Sequence, residues 1–452
     1  MPDLKNTTLH IGFDDTDSLK GGCTTYLALR IIELLAPLVN FIDYPRLIRN
    51  NPNIPWKTRG NGAICLTLKV NEKIVERIAR IALETLNELL EEDPNTNPGM
   101  AFVKGEIPEE IIQFSREALT DIIEISTAKD IAEKFCFKYY STGNGRGLIG
   151  AIAAIGNPLN PLDEDFTFEL LTYRKSENIS RKRILNEKSV AAVDNKYSAE
   201  VFNNIDEESK KVIIAPAGLD PVLYGIRGEN PLTLLNMMGE IEVHEPISSY
   251  CIFRTNQGTD QHFKYASSEV QNFNVFKGEI RILETPKTIL GGHVIFRGEV
   301  ISNKIKVDVA AFEPSKSFRN TIRELLPEDK ILAYGGVRYK KEFQGFTVQL
   351  EKCEIIFVSE QFREESPLCP SCSKRMVSNG LNKGYKCRKC GHKSREIKKN
   401  KIPVERRITT GLYIPPAQSQ RHLIKPNRRY NLPQKDTYFL IENWWKVTSK
   451  SN

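Results

Sequence analysis

Apolar positions along the first third of this 452-residue chain switch repeatedly between two periods. Leu9, Ile11 and Phe13 alternate with polar or small residues, which predicts a half-buried strand running straight into Asp14. Leu27, Ile31, Leu34 and Leu35 then share one helical face, from Thr25 to about Leu35. AICLTLKV (63–70) reads as a second strand. Ile74, Ile78, Ile81, Leu86 and Leu89 place an amphipathic core-facing helix over about 72–91. PGMAFVKG (98–105) predicts a strand and PEEIIQFSREAL (108–119) a helix. The first half is therefore α/β, and its strand–helix–strand–helix succession suggests a ferredoxin-like segment over 61–137.

Further on the pattern changes to strands broken once by a helix. Strands are predicted over 292–302, 304–313, 330–339 and 346–358, with a helix over 315–325 and a possible preceding strand at 279–286. Ile305, Val307 and Val309 alternate with Lys304, Lys306 and Asp308, as half-buried strands do. Three strands, a helix and two strands is the order of an OB-fold, a small barrel that binds oligonucleotides on one face. We place it over 271–360.

Composition adds a sharp asymmetry. Residues 366–452 carry 20 Lys and Arg against 4 Asp and Glu, a net +16, so the preceding 365 residues carry −9. A basic tail on an acidic body suits a phosphate backbone, and Lys398, Lys399, Arg406, Arg407, Arg428 and Arg429 are its candidate backbone contacts over 396–452. Within the basic region, CPSC (369–372) and CRKC (387–390) are two C-x-x-C knuckles. Cys369, Cys372, Cys387 and Cys390 predict a closed, structural Zn²⁺ site in a ribbon over 366–395. The N-terminus lacks a signal-peptide pattern, and the most apolar run, 147–156, is too short to span a bilayer. The expectation is a cytoplasmic protein with no membrane partner and no obligate protein partner.

The chemistry concentrates in GFDDTDSLKGGCTT (12–25). Asp14, Asp15 and Asp17 repel one another, so a cation is expected among them. Strand, acidic loop, the Gly21–Gly22 turn and a helix N-terminus capped by Thr24 or Thr25 would suit a phosphate chain with Mg²⁺. The plainer reading is an Asx-turn that caps the chain. Lys57, Arg59 and Asn61 in KTRGNGA (57–63) form a second polar loop suited to an anion, or a hairpin turn. A third, glycine-rich loop over 140–156 brings Ser141, Thr142 and Arg146, and matches a dinucleotide fingerprint only superficially.

Five segments in register carry a family resemblance: 12–30, DYPRLIRNNPNIPWKTRGNGA (43–63), STGNGRGLIGAIAAIG (141–156), DPVLYGIRGE (220–229) and FRTNQGTDQHF (253–263). Together with the barrel and ribbon that follow, they resemble the archaeal tRNA(Ile) 2-agmatinylcytidine synthetases. The resemblance implies ATP-dependent joining of agmatine to C2 of the wobble cytidine of a CAU-anticodon tRNA(Ile), so that AUA is read as isoleucine. It implies a kinase-like α/β domain named for a threonine–cysteine pair (1–60, completed within 138–270 beside the ferredoxin-like part), matched here by Cys23–Thr24. Thr24 would be autophosphorylated, and Asp14, Asp15 and Asp17 would hold Mg²⁺ and the ATP phosphates. The cytidine O2 would be phosphorylated and then displaced by the agmatine amine. Gly21, Gly22, Lys57, Arg59, Asn61, Ser141, Thr142 and Arg146 are the ATP-binding candidates. Asp220, Asn256, Gly258 and Asp260, with Gln257, are candidates for agmatine, although the same groups suit a nucleotide. Gly22 stands where a bulkier residue is expected, which would loosen the turn. Two other classes compete: a metal-dependent RNA nuclease, which needs no ATP, and a non-catalytic tRNA-binding protein.

Overall fold

The computed structural model describes residues 6–448 except 19, 342–343 and 434. It opens as the apolar pattern predicts, with β1 (Asn6–Asp14), α1 (Thr24–Leu35), β2 (Asn40–Phe41), β3 (Arg46–Arg49), β4 (Gly62–Asn71), α2 (Val75–Leu89), β5 (Gly99–Lys104) and α3 (Glu109–Thr120). β1 and β4 pair antiparallel with Leu9 opposite Leu68, Ile11 opposite Leu66 and Phe13 opposite Ile64. That register lines one apolar ladder behind the acidic loop.

After α4 (Ile125–Phe135) and β6 (Lys138–Ser141), the glycine-rich segment departs from the expected loop. Only its first part is a turn; Gly147–Ile155 is α5, a buried helix lying on β1. Small residues make that approach possible. A Cβ on Gly150 would lie 1.8 Å from an Asp14 carboxylate oxygen, and one on Gly12 would lie 2.0 Å from the Ala151 carbonyl. The glycines serve helix-to-sheet packing.

The same sheet continues through β7 (Thr167–Tyr173), β8 (Val222–Gly228) and β9 (Ser249–Thr255), with α6 (Glu187–Lys196) and α7 (Pro231–Glu240) between them. Its strand order is β6-β5-β1-β4-β3-β9-β7-β8. All pairings along it are antiparallel except β3–β9, which joins the two halves in parallel. Beside that seam, buried Arg254 holds Asp43 (Nε to Oδ1, 3.1 Å) and stacks on Tyr438 with its guanidinium 4.1 Å from the ring centre.

After α8 (Gln261–Tyr265) comes the barrel, in the order expected: β10 (Val275–Ile282), β11 (Lys287–Thr288), β12 (Val294–Val300), β13 (Lys306–Ala311), α9 (Ser317–Arg323), β14 (Lys330–Lys340) and β15 (Gly345–Phe357). Five strands close because β10 pairs with both β14 and β12, while β13 pairs parallel with β15. Phe276, Ile280, Phe296, Val309, Ile331 and Val348 fill it.

The C-terminal region then doubles back. β16 (Gln361–Glu365) leads into a three-stranded ribbon of β17 (Val377–Ser378), β18 (Tyr385–Lys386) and β19 (Lys393–Ser394). β20 (Asn400–Val404) returns along β16, β21 (Gly411–Tyr413) adds to β15, and β22 (Trp445–Val447) adds to β9 of the first sheet. The tail is thus a strap from the barrel to the N-terminal body. No helix among the described residues is long and apolar enough to cross a membrane.

Candidate functional site

β1 delivers its chain into the acidic loop at the edge of α5. Asp14 is half-buried; its Oδ1 accepts the Asp15 amide at 2.7 Å. Burial, then the charge of Asp15, pushes the Asp14 carboxyl well above the usual range. Asp15, in left-handed backbone at φ 56°, turns toward Arg146 (Nε to Oδ2, 2.7 Å) and accepts the Asn97 amide at 3.0 Å. Asp17 turns the other way. Its Oδ1 accepts both the main-chain N–H (2.7 Å) and the hydroxyl (3.0 Å) of Thr24. Arg59 approaches Asp17 at 3.7 Å and pairs with Asp220. The positive charge among the aspartates is therefore supplied in part by two guanidiniums.

Two sequence expectations change here. Neither Thr24 nor Thr25 caps α1: Cys23 holds the N-cap position without a side-chain bond, and the Asp17 carboxylate takes the Thr24 N–H in its place. Gly22 does not loosen the turn either. A Cβ there would lie 2.7 Å from the Thr16 carbonyl oxygen, so the glycine lets the turn close. Thr24 itself is only 4% exposed; its hydroxyl accepts from Thr16 at 3.0 Å and donates to Asp17. Burial, then the Asp220 and Asp17 carboxylates, pushes the neighbouring Cys23 thiol up, which keeps it neutral and poorly nucleophilic.

Two clefts flank this loop. The first is lined by Asp14, Asp15, Lys57, Asn61 and Arg146 at one side and by Ile54, Trp56, Ile122, Ile123 and Ile149 at the other. The second, about 520 Å³, is lined by Asp17, Thr24, Arg59, Glu169, Asp220 and Arg227 among others. There Arg227 holds Glu169 at 3.0 Å, and Arg183 donates to the carbonyls of Pro216 (3.0 Å), Gly218 (2.8 Å), Asp220 (2.7 Å) and Val222 (2.9 Å), fixing the loop that carries Asp220.

Other predicted residues lie elsewhere. Ser141 pairs with Gly99 at the sheet edge, and the Thr142 amide donates to the Pro98 carbonyl at 3.1 Å. Gly21 turns in left-handed backbone (φ 125°) beside Gly22. Asn256, Gly258 and Asp260 line neither cleft. Asn256 clasps the main chain of Arg49 (2.8 and 2.9 Å), Gly258 donates to the His422 carbonyl at 2.8 Å, and Asp260 pairs with Lys352 and accepts the Lys425 amide at 2.9 Å. They bind body, barrel and strap together.

The four ribbon cysteines bring their sulfurs within 4.8 Å of one another, the geometry of a closed tetrahedral site. In the basic region, charge is divided. Arg429 is buried and holds Asp165 (2.9 Å), Glu229 and the Gly258 carbonyl, and Arg406 holds Asp329 at 2.7 Å. Those two serve the fold and differ in this from the expected phosphate contacts. Arg428 pairs with Glu207 at 2.7 Å and Lys399 with Glu364 at 2.9 Å, both partly exposed. Lys398 and Arg407 are exposed and form no ion pair among the described residues.

Three family models match the chain: a TiaS TCKD domain over residues 10–82, a TiaS FLD domain over 145–262 and a TiaS C-terminal zinc ribbon domain over 366–408. The isoleucine-tRNA 2-agmatinylcytidine synthetase TiaS of Thermococcus sibiricus is 39% identical over 425 residues, covering 92% of this chain and 95% of the relative. The chain belongs to the TiaS family. The TiaS of Methanosarcina mazei is likewise 39% identical over 424 residues, covering 92% and 96%. A crystal structure of a TiaS in complex with its isoleucine tRNA and ATP superposes with a TM-score of 0.83 at 36% identity, over 95% of this chain and 99% of that one. A TiaS complex with the same tRNA, AMPCPP and agmatine gives 0.80 at 34% identity, over 95% and 98%.

Against this TiaS scaffold, sequence reasoning missed four participants. Asn97 holds both Asp15 and, through its Oδ1, the Asn144 amide (2.9 Å) of the turn before α5. Glu169, Arg227 and Arg183 build the second cleft from β7, β8 and a connecting loop. Asn97 ends a plain Asp-Pro-Asn-Thr-Asn turn, Glu169 and Arg183 sit in segments with no chemical motif of their own, and Arg227 lies in the 220–229 segment, where Asp220 alone was singled out.

Proposed function

We propose that the chain uses ATP to join agmatine to C2 of the wobble cytidine of CAU-anticodon tRNA(Ile), giving agmatidine and decoding of AUA as isoleucine. The observation that carries the mechanism is the Thr24 hydroxyl donating to Asp17 in the lining of the second cleft, two residues from the Asp15 that lines the first. In this reading a nucleotide occupies the first cleft, its base against Trp56 and the isoleucines and its phosphates toward Lys57, Asn61 and Arg146. Asp17 accepts the Thr24 proton as the hydroxyl oxygen bonds the γ-phosphorus and the bond to the β-phosphate oxygen breaks, releasing ADP. Arg59 and Arg146 offset the charge that spreads over the phosphoryl oxygens. The phosphoryl then passes to the cytidine O2. The agmatine amine attacks C2, the C2–O2 bond breaks, and inorganic phosphate leaves.

The residues fit Mg²⁺. Asp14 lines the first cleft with only the Asp15 amide hydrogen-bonded to its carboxylate, whereas Asp15 already meets Arg146 and Asp17 already holds Thr24. Asp14 would therefore be the principal ligand, and the ion would neutralise phosphate charge. Agmatine's guanidinium suits Asp220 and Glu169 in the second cleft, with its amine directed toward the acidic loop. The zinc ribbon and the exposed Lys398, Lys399, Arg407 and Arg428 meet the tRNA backbone. The N-terminal body is read as a kinase-like unit with a ferredoxin-like partner.

Incubating the protein with ATP, labelled agmatine and tRNA(Ile), then digesting to nucleosides, tests this reading. The expected product is one labelled, agmatine-conjugated cytidine per tRNA, dependent on ATP. Cleaved RNA without ATP would establish a nuclease, and tRNA binding with neither product would establish a binding protein.

A further inference from the structure

The run Asn50–Asn51–Pro52–Asn53 leads from β3 into the first cleft, and its three amides are used unequally. Asn51 is fully buried and donates to the carbonyls of Asp121 (3.2 Å) and Phe273 (3.0 Å). Asn53 is also fully buried; it donates to the Asn274 carbonyl at 3.3 Å and accepts from Arg421 at 3.0 Å. These two dock the body on the barrel. Asn50 lines the first cleft, is 5% exposed, and makes no side-chain hydrogen bond among the described residues; its Oδ1 is buried without a partner.

A buried amide without partners is rare in a folded protein and needs a reason. Its main chain shows that it is not misplaced, because the Asn50 amide N–H donates to the Asn61 carbonyl at 3.0 Å. The side chain thus offers an unpartnered buried acceptor, with its Nδ2 donor beside it, to whatever fills the cleft. The cleft around it has an apolar slot at one side and cations at the other, as a nucleotide requires.

We propose that the Asn50 amide reads the amino edge of a nucleobase in the first cleft. An exocyclic amine would donate to Oδ1 while the adjacent ring nitrogen accepts from Nδ2, the bidentate geometry by which asparagine selects such bases. Adenine and cytosine share this edge, so ATP and the wobble cytidine are its two possible sources. The inference rests on the nucleotide reading of the cleft given above.

The test removes the amide and the amine separately and together. Asn50→Ala leaves the Asn51 and Asn53 contacts and the Asn50 main-chain bond intact, so its melting temperature should hold. It should raise KM about tenfold to a hundredfold for the substrate whose base it reads. In one arm, purine riboside triphosphate, which lacks the amine, replaces ATP. In the other, a tRNA carrying pyrimidin-2-one in place of cytosine at the wobble position replaces the natural tRNA. The wild-type enzyme should discriminate against the amine-free substrate in one arm, and Asn50→Ala should abolish that discrimination, which names the source. If discrimination is unchanged by the substitution in both arms, the proposal is overturned. Trp56→Ala separates the two layers. If it weakens nucleotide use while Asn50→Ala shows no coupling, Asn50 alone is wrongly assigned. If neither variant has any effect, the nucleotide reading of the cleft falls as well.

Discussion

Replacing Asp17 with asparagine separates its two duties. Its Oδ1 accepts the Thr24 N–H at 2.7 Å and the Thr24 hydroxyl at 3.0 Å. Asparagine retains an amide oxygen at that position, so both hydrogen bonds can persist. What is lost is charge: the cap bond falls from the charge-assisted class to the neutral one, a loss of about 1 kcal/mol. Arg59 keeps Asp220 as its partner. The fold should therefore survive with a melting temperature lower by a few degrees at most. An amide, however, cannot take the proton that leaves Thr24. Loss of a positioned base slows such a step by roughly 10²- to 10⁴-fold, or about 3–5 kcal/mol of barrier. The assay follows transfer of label from γ-labelled ATP to protein, alongside agmatidine formation on tRNA. Thr24→Val serves as the companion variant. It keeps the N–H bond to Asp17, leaves the Thr16 hydroxyl without its acceptor at a cost of about 1 kcal/mol, and should abolish phosphoprotein; Thr24→Ser should stay partly active. If Asp17→Asn labels Thr24 at the wild-type rate, Asp17 is only a helix cap. If Thr24→Val modifies tRNA normally, the covalent step is wrong.

The other outcomes concern stability, metal and tRNA. Asp14→Asn should abolish ATP turnover yet raise the melting temperature of the free protein at neutral pH. The raised folded-state pKa of Asp14 means that stability declines as pH climbs above the unfolded carboxylate value, and asparagine removes that decline; an unchanged or lower melting temperature would contradict it. His10 is buried between Thr67 and the Gly105 carbonyl, and burial with the nearby Arg46 lowers its pKa to about 4. The unfolded chain then binds more protons, so stability should be complete above about pH 6.5 and fall by about 3 kcal/mol as pH drops toward 4; a His10→Gln variant with the same acid slope would exclude this group. Cys372→Ser should release the zinc and weaken tRNA binding without touching tRNA-independent ATP chemistry, and metal analysis finding no zinc in the wild-type protein would refute the site. Neutralising Lys398 and Arg407 should reduce the slope of log K against log salt by about one to two units at unchanged stability. Arg429→Met should instead destabilise the fold by about 1.5–3 kcal/mol, since it removes a buried guanidinium from Asp165 and Glu229 and leaves them only Lys425 and Lys435 as cations.

Strands and helices with unmixed periodicity were legible from the apolar pattern alone: β1, α1, β4, α2, β5, α3 and, in the barrel, β12, β13, α9, β14 and β15 fall where alternation or helical spacing places them, while β10 begins four residues before the expected 279–286. The failures have physical causes. GLIGAIAAIG has no polar face, so its periodicity is silent, and its glycines suggest a loop; only the 1.8 Å clearance at Gly150 reveals why a helix needs them there. Charge counting marked the tail as a phosphate-binding arm, but it cannot distinguish Arg407, which faces solvent, from Arg429, which meets two carboxylates contributed by distant parts of the chain. The aspartates were found because they are adjacent in sequence. Their partners Arg146, Arg59 and Asn97 come from separate loops, and no local spacing encodes those pairings.

That division of partners bears on how the chemistry is kept in order. Asp14 and Asp15 face the first cleft and Asp17 the second, although only one residue separates Asp15 from Asp17. The left-handed turn at Asp15 makes the reversal possible, and α5 pressed against Asp14 prevents it from relaxing. A single rigid loop can therefore present phosphate-binding charge to one side and a hydroxyl–carboxylate pair to the other. In the reading proposed above, nucleotide and dicationic amine, which would otherwise pair directly in solution, would approach the same loop from separate clefts. Arg59 bridges Asp17 and Asp220, and in the proposed reading a substrate cation would compete with it for those carboxylates. The strap from the barrel back to β9 ties barrel and body together, so in the proposed reading the two substrates would meet where the loop places them.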